Sequence, residues 1–266
     1  MFKTRLLSGI LLMIVALVTV ISGGGILFAT LLIISLIGMS ELYKILDVHN
    51  KLLGCVGYVG AIIYYGLLWF GYEEWIICMS IGFLILLMAV YVFSYPKYHA
   101  DQVMMTFFGL FYVAMMLSYV YQARELPQGA FLVWLVFICS WGCDTCAYCV
   151  GVLIGKHKMA PKLSPKKSIE GAVGGVAGAA LIGALYALAV NHFAQVGAPV
   201  GIYAAIGAVG GLISMVGDLA ASAIKRNHNI KDYGKLIPGH GGILDRFDSV
   251  IFTAPIIYYM AVLLMK

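Results

Sequence analysis

Asp144, Asp218, Asp245 and Asp248 lie inside or at the mouth of long apolar runs. A carboxylate inside hydrocarbon is costly and by default marks a functional site. Asp218, Ser222 and Lys225 stand at i, i+4 and i+7, so one face of a helix carries all three. Asp245 and Asp248 are three apart and also share a face if their helix begins near Gly242. Four such groups at one depth would repel one another without a cation or basic neighbours. Carboxylate oxygens, with waters and phosphates completing the shell, are the surroundings Mg²⁺ prefers. In the alternative reading these aspartates cap helices, or pair with Arg246 and Lys225.

A second polar element is the loop GKHKMAPKLSPKKSIEG, Gly155 to Gly171, with Lys156, Lys158, Lys162, Lys166 and Lys167. Its Ser164-Pro165 suits a helix start with Pro at the first helical position. A helix N-terminus flanked by Lys makes a phosphate seat; taken alone, the same charges also suit plain topology or anionic lipid. Ser168 and Glu170 favour the first reading, because a purely topological loop needs neither. Pro238-Gly239-His240-Gly241-Gly242 is a turn that lets backbone amides approach a ligand closely. It is not a Walker A loop, since G-x-x-x-x-G-K-[ST] does not occur in the chain. Cys143, Cys146 and Cys149 repeat every third residue, but a fourth Cys and its Pro are missing, so they read as small apolar filler.

These residues need elements to hold them, and composition says which. The chain is 62% hydrophobic and 11% charged, whereas soluble domains are about 25% charged. Continuous apolar runs of membrane-crossing length recur throughout, which excludes a β-barrel with its short alternating segments. The fold expected is all-α, a polytopic integral membrane protein with about nine transmembrane helices, near 6–22, 25–46, 53–70, 75–93, 103–121, 130–150, 171–190, 199–221 and 247–265. Lys3 and Arg5 precede the first apolar core as in a signal peptide. No clean small-x-small cleavage site follows, and the next span starts after Ser22-Gly23-Gly24-Gly25, so the helix is expected to be retained. With the N-terminus in the cytoplasm, fifteen of the seventeen Lys and Arg residues fall on the cytoplasmic side, and only Arg124 and Lys266 do not. The net charge of +5 is therefore topological and does not point to nucleic acid. All four aspartates then sit at the cytoplasmic ends of their helices. Residues 1–125 form an N-terminal group of about five spans, and 126–266 a C-terminal catalytic region with cytoplasmic loops.

Ser222-Ala223-Ile224-Lys225-Arg226, Lys231-Asp232, Gly234, Pro238, His240-Gly241-Gly242 and Asp245-Arg246-Phe247-Asp248 resemble the signature of CDP-diacylglycerol synthases, the phosphatidate cytidylyltransferases. Ser164-Pro165-Lys166-Lys167-Ser168-Ile169-Glu170-Gly171 and Asp144-Thr145-Cys146-Ala147-Tyr148 are similar to two further family segments. The departures are Ile169, where Trp is usual, and Cys143, where Asn or Ala is common. The resemblance covers about 140–250, and the first five spans rest on hydropathy alone. It implies a multi-pass helical fold, commonly dimeric, that makes CDP-diacylglycerol and pyrophosphate from CTP and phosphatidic acid with Mg²⁺, a second cation such as K⁺ being compatible. It also implies metal ligands at Asp218, Asp245 and Asp248, with Ser222 and Lys225 beside them. On this reading Lys225, Arg226, Asp248 and Ser222 are catalytic, while Ser164, Lys166, Lys167, Glu170, Asp144, His240 and Arg246 hold substrate. The expected setting is a bacterial inner membrane, with acyl chains in the lipid and CTP arriving from the cytosol.

Two other classes use similar residues. A cation-coupled transporter also needs intramembrane carboxylates and a broken Gly-rich connection, but its site tends to lie at the midplane between matching halves, and here the charges crowd one face without a visible repeat. A different CTP-using lipid enzyme, such as a polyprenol kinase or an archaeal-type lipid cytidylyltransferase, is the third candidate.

Overall fold

The computed structural model describes residues 2–265, with side chains from Leu7 onward. The side chains of Lys3 and Arg5, and all of Lys266, which entered the charge count, lie outside the described residues. The helices are α1 (Phe2–Ser22), α2 (Gly24–Lys44), α3 (Leu52–Trp69), α4 (Glu73–Phe93), α5 (Ala100–Glu125), α6 (Gly129–Ile154), α7 (Ile169–Ala194), α8 (Val200–Asn227) and α9 (Leu244–Leu264). Among the described residues, α2 to α9 are eight helices long and apolar enough to cross a membrane, and α1 carries a shorter apolar stretch, Leu7–Ser22. The expected all-α polytopic architecture is what the chain adopts.

The N-terminal half is tied by hydroxyls that meet across helices. Ser35 on α2 bonds Tyr65 on α3 at 2.9 Å, Tyr64 on α3 bonds Ser118 on α5 at 2.8 Å, and Tyr43 donates to the Thr106 carbonyl at 2.8 Å. Where hydrocarbon surrounds a bundle, such bonds and close packing replace the hydrophobic effect as the glue between helices. Arg124, one of the two basic residues outside the cytoplasmic set, has a local use. Its Nε donates to the Val20 carbonyl at 3.1 Å, capping the end of α1.

The C-terminal half is drawn together by missing side chains. Gly171, Gly175 and Gly178 of α7 lie against Ala147, Cys143 and Cys146 of α6, so close that a Cβ at any of them would collide. Gly207 of α8 faces the Ala179 carbonyl of α7, where an added Cβ would come within 2.5 Å. Gly217 of α8 lies on the Asp248 carbonyl of α9. Small residues at these positions let α6, α7, α8 and α9 approach until their backbones touch. The three cysteines fit this packing. Cys143 is buried and donates weakly to the Gly211 carbonyl at 3.5 Å, Cys146 abuts Gly178, and Cys149 is exposed.

Two local departures matter for the site. α5 and α6 each contain a π-helical stretch, Leu110–Met115 and Ile138–Gly142, and wide turns of this kind collect at functional sites. The second ends two residues before Asp144. The other departure corrects an expectation: Ser164-Pro165 does not start a helix. Ser164–Ser168 is strand β2, paired antiparallel with β1 (Lys158–Ala160) through Lys158–Ser168 and Ala160–Ser164. The helix starts four residues later, where the Ser168 hydroxyl accepts the Gly171 amide at 3.1 Å. A side chain that satisfies an orphan amide outcompetes a proline that merely tolerates the first turn.

Replacing Gly207 by Val should force α7 and α8 apart at the Ala179 carbonyl. Overpacking of this kind costs about 1–3 kcal/mol, so the thermal midpoint in detergent is expected to fall by several degrees. An unchanged midpoint would mean the two helices are not held by this contact.

Candidate functional site

The C-terminal end of α6, the β1–β2 hairpin, the start of α7 and the C-terminal half of α8 enclose a cleft of about 580 Å³. Its polar wall is Asp144, Asp218, Lys158, Ser164, Lys166 and Lys167, and Tyr148, Val152, Met159 and Met215 line the apolar side. The basic loop and two of the four aspartates thus share one space. Lys167 makes an ion pair with Asp218, and Ser222 donates to the other Asp218 oxygen at 3.5 Å. Hairpin pairing is what brings Lys167 there, since an early helix would have wound Lys166 and Lys167 around its axis.

Asp248 comes from the first turns of α9, through the Gly217 contact. It is buried and lies within electrostatic reach of Asp218 and Asp144. Among the described residues its hydrogen bonds come from its neighbour Ser249, with the amide at 2.8 Å. An ionised carboxylate offers about four acceptor sites, so Asp144, Asp218 and Asp248 all retain capacity. The buried hydroxyl of Tyr112, in the π-helical stretch of α5, has no hydrogen-bond partner among the described residues and lies within electrostatic reach of Asp248 and Asp218.

Asp245, expected among the metal ligands, is engaged differently. It accepts Lys225 Nζ at 2.8 Å, the Tyr233 amide at 2.8 Å and the Gly242 amide at 3.0 Å. These three donors come from α8, the middle of the 228–243 loop and the residues just before α9. Tyr233 adds a hydroxyl bond to the Ala221 carbonyl at 3.1 Å and a ring facing the Lys225 ammonium at 5.3 Å. Burial pushes the Tyr233 phenol far above its ordinary value, so it stays a neutral donor. Lys225 therefore points along α8 to Asp245, the pairing weighed as the alternative role for these groups.

The remaining residues divide by location. Glu170 does not line the cleft; its carboxylate accepts the Lys156 amide at 3.1 Å, the His157 amide and His157 Nδ1, closing the hairpin onto α7. Arg226 is exposed and donates to the Ile230 carbonyl at 3.4 Å. His240 and Arg246 line a second polar cleft of about 640 Å³ with Lys231, Asp232 and Lys235. Arg246 lies within electrostatic reach of Asp144, and His240 bonds Ser8 of α1 at 2.8 Å. Gly239 and Gly241, at φ 80° and 87°, give the turn a left-handed backbone that favours glycine.

Among the described residues no three His, Cys, Asp or Glu side chains converge tightly enough to hold a metal unaided. Mg²⁺ does not ask for that, since one or two carboxylates with waters and substrate phosphates are its usual shell. Asp218 and Asp248, with the Tyr112 hydroxyl within electrostatic reach of both, are hard-oxygen donors of the fitting kind. Reasoning from sequence missed Tyr112, Tyr233 and Glu41 of α2, whose carboxylate accepts the Ile243 and Leu244 amides at the start of α9. The signal for Glu41 was available, as a carboxylate near the end of an apolar run; no pattern marked the two tyrosines.

Residues 3–264 match the cytidylyltransferase family. The chain belongs to that family. The phosphatidate cytidylyltransferase of Bacillus subtilis (strain 168) is 33% identical over 270 residues, covering 98% of each chain. That of Staphylococcus aureus (strain COL) is 31% identical over 260 residues, 96% of this chain and 97% of the relative. A phosphatidate cytidylyltransferase of Synechocystis is 42% identical over 144 residues, and there the match spans about half of each chain (53% and 47%). This cytidylyltransferase is thus an enzyme of the nucleotidyltransferase class, as the resemblance implied.

The geometry separates Asp245, inside the signature, from Asp218, one helical turn before it. Lys225→Met leaves Asp245 buried and without its ammonium, a change that costs about 3–5 kcal/mol. Its thermal midpoint is expected to drop sharply, whereas Asp218→Asn, at the more open cleft, should melt near the parent. Equal midpoints for both variants would remove the structural role assigned to the Lys225–Asp245 pair.

Proposed function

We propose that this enzyme transfers the cytidylyl group of CTP to phosphatidic acid, giving CDP-diacylglycerol and pyrophosphate. The observation that carries the reading is the cleft where Asp144 and Asp218 face three hairpin lysines beside exposed Tyr148 and Val152. Such a space offers cations to phosphates on one side and an apolar wall to acyl chains on the other. A volume of about 580 Å³ is within the range of small-molecule sites, about 300–1,000 Å³. The C-terminal ends of α6 and α8, the N-terminal ends of α7 and α9, and both polar connections belong to one end of the bundle. We take that end as the cytoplasmic face of a cell membrane, where CTP and a membrane lipid can meet.

In the reaction a phosphatidate oxygen forms a bond to the α-phosphorus of CTP, and the bond to pyrophosphate breaks. The attacking oxygen is already ionised, so no strong general base is required. Lys158, Lys166 and Lys167 offset phosphate charge, and holding the two polyanions in line supplies most of the acceleration. Asp218 and Asp248 would hold Mg²⁺, with Asp144 and Tyr112 beside them and room for a second cation such as K⁺. When bound, Mg²⁺ screens triphosphate charge and stabilises the departing pyrophosphate. Asp245 keeps Lys225 and the signature loop in place.

Purified protein given a panel of lipids with CTP labelled at the α-phosphorus, and in parallel at the γ-phosphorus, should label phosphatidate alone and only from the α-label. Phosphoryl transfer to an alcohol, or no transfer, would overturn the reading. Asp218→Asn is expected to lower transfer by about 100-fold or more while the protein stays folded. Full activity of that variant at saturating Mg²⁺ would take Asp218 out of the site.

A further inference from the structure

We propose that Glu41 of α2 is a positioning residue of this reaction, a carboxylate clamp on the first turn of α9, and that Gly234 and Gly242 are glycine because the clamp fills their side-chain space. The inference rests on the function proposed above only for its effect on turnover; the clamp itself is read from geometry.

Glu41 is 3% exposed, near the cytoplasmic end of α2. One carboxylate oxygen accepts the Ile243 amide at 3.0 Å and the other the Leu244 amide at 2.8 Å. The first amides of a helix have no partner within it and carry its positive end. With Asp245 taking the Gly242 amide, carboxylates engage three successive amides at the start of α9. One cap is local, three residues away, as the acidic arm of a capping box would be. The other arrives from 202 residues upstream. It fastens α9, which carries Asp245, Arg246 and Asp248, to the N-terminal helices.

The glycines supply an independent mark. A Cβ at Gly234 or at Gly242 would collide with the Glu41 carboxylate. Neither has the left-handed backbone of Gly239 and Gly241. Conformation therefore explains the glycines at 239 and 241, and proximity to Glu41 those at 234 and 242. The signature loop is wrapped around a side chain that lies outside the signature.

Because the clamp acts on where Asp248 stands, its loss should appear in turnover more than in nucleotide binding. Glu41→Gln is expected to lower kcat by about 10–100-fold, as a small misplacement of reacting groups does, with the KM for CTP within about twofold. Hydrogen exchange of the amides at 242–244 should accelerate in the same variant. Gly242→Ala should be damaging in the parent, yet Glu41→Ala/Gly242→Ala should be no worse than Glu41→Ala alone. Parent-like kcat and exchange in Glu41→Gln, or the same loss from Gly242→Ala in both backgrounds, would overturn the clamp. Should Glu41→Ala not fold, Glu41→Gln still decides through exchange and kcat. If the chain transfers no cytidylyl group at all, the exchange and the Gly242 coupling, read on thermal midpoint, still test the clamp separately.

Discussion

A buried ionised carboxylate must find donors or a cation, because water no longer supplies them cheaply. Asp245 meets this constraint with Lys225 and two backbone amides, and the shape of the signature region follows from it. Once Lys225 of α8 and the Tyr233 and Gly242 amides converge on one side chain, the 228–243 loop must fold back over the helix end. Tyr233 is then carried down to the Ala221 carbonyl, and the start of α9 is set against α8. A buried pair of this kind contributes little net stability, since its desolvation cost offsets its attraction, but it penalises every arrangement that separates the partners. Its effect is on which structure forms.

Close helix approach does the rest. Asp144, Asp218 and Asp248 belong to three helices, and nothing in their own chemistry draws like charges together. The drawing together is done behind them, by Gly175 and Gly178 against α6, Gly207 against α7 and Gly217 against α9. Packing energy collected along the glycine faces thus offsets repulsion at the ends that carry the aspartates.

The helices were legible because each apolar run is long and bounded by charge. The bounds were less so: α8 runs on to Asn227, since Lys225 and Arg226 suit the carbonyl end of a helix. The hairpin was misread because Ser164-Pro165 is a strong local signal, while the Ser168 cap and the strand pairing depend on partners elsewhere. Spacing showed that Asp245 and Asp248 share a face, yet spacing is silent about which donors wait there. Glu41 meets its amides across 202 positions, a distance over which one sequence carries no register. The π-helical turns that place Tyr112 and precede Asp144 leave no pattern in residue type at all.

Two lysine–aspartate pairs now stand a few turns apart, and their exposure separates their uses. The Lys225 and Asp245 side chains are 13% and 3% exposed, those of Lys167 and Asp218 23% and 27%. Breaking the first pair strands a charge away from water, whereas the second opens onto a cleft, where solvent or an incoming phosphate can replace either partner. On the proposed function, a polyanion entering the cleft would compete with Asp218 for the Lys167 ammonium, and the Asp218 oxygen so released would be free to meet a cation brought with the triphosphate. In the function proposed here, the ion pair keeps Asp218 and Lys167 mutually neutralised until substrate arrives, and substrate charge itself parts them. Lys225, held by Asp245 on the more buried side, is less open to that exchange.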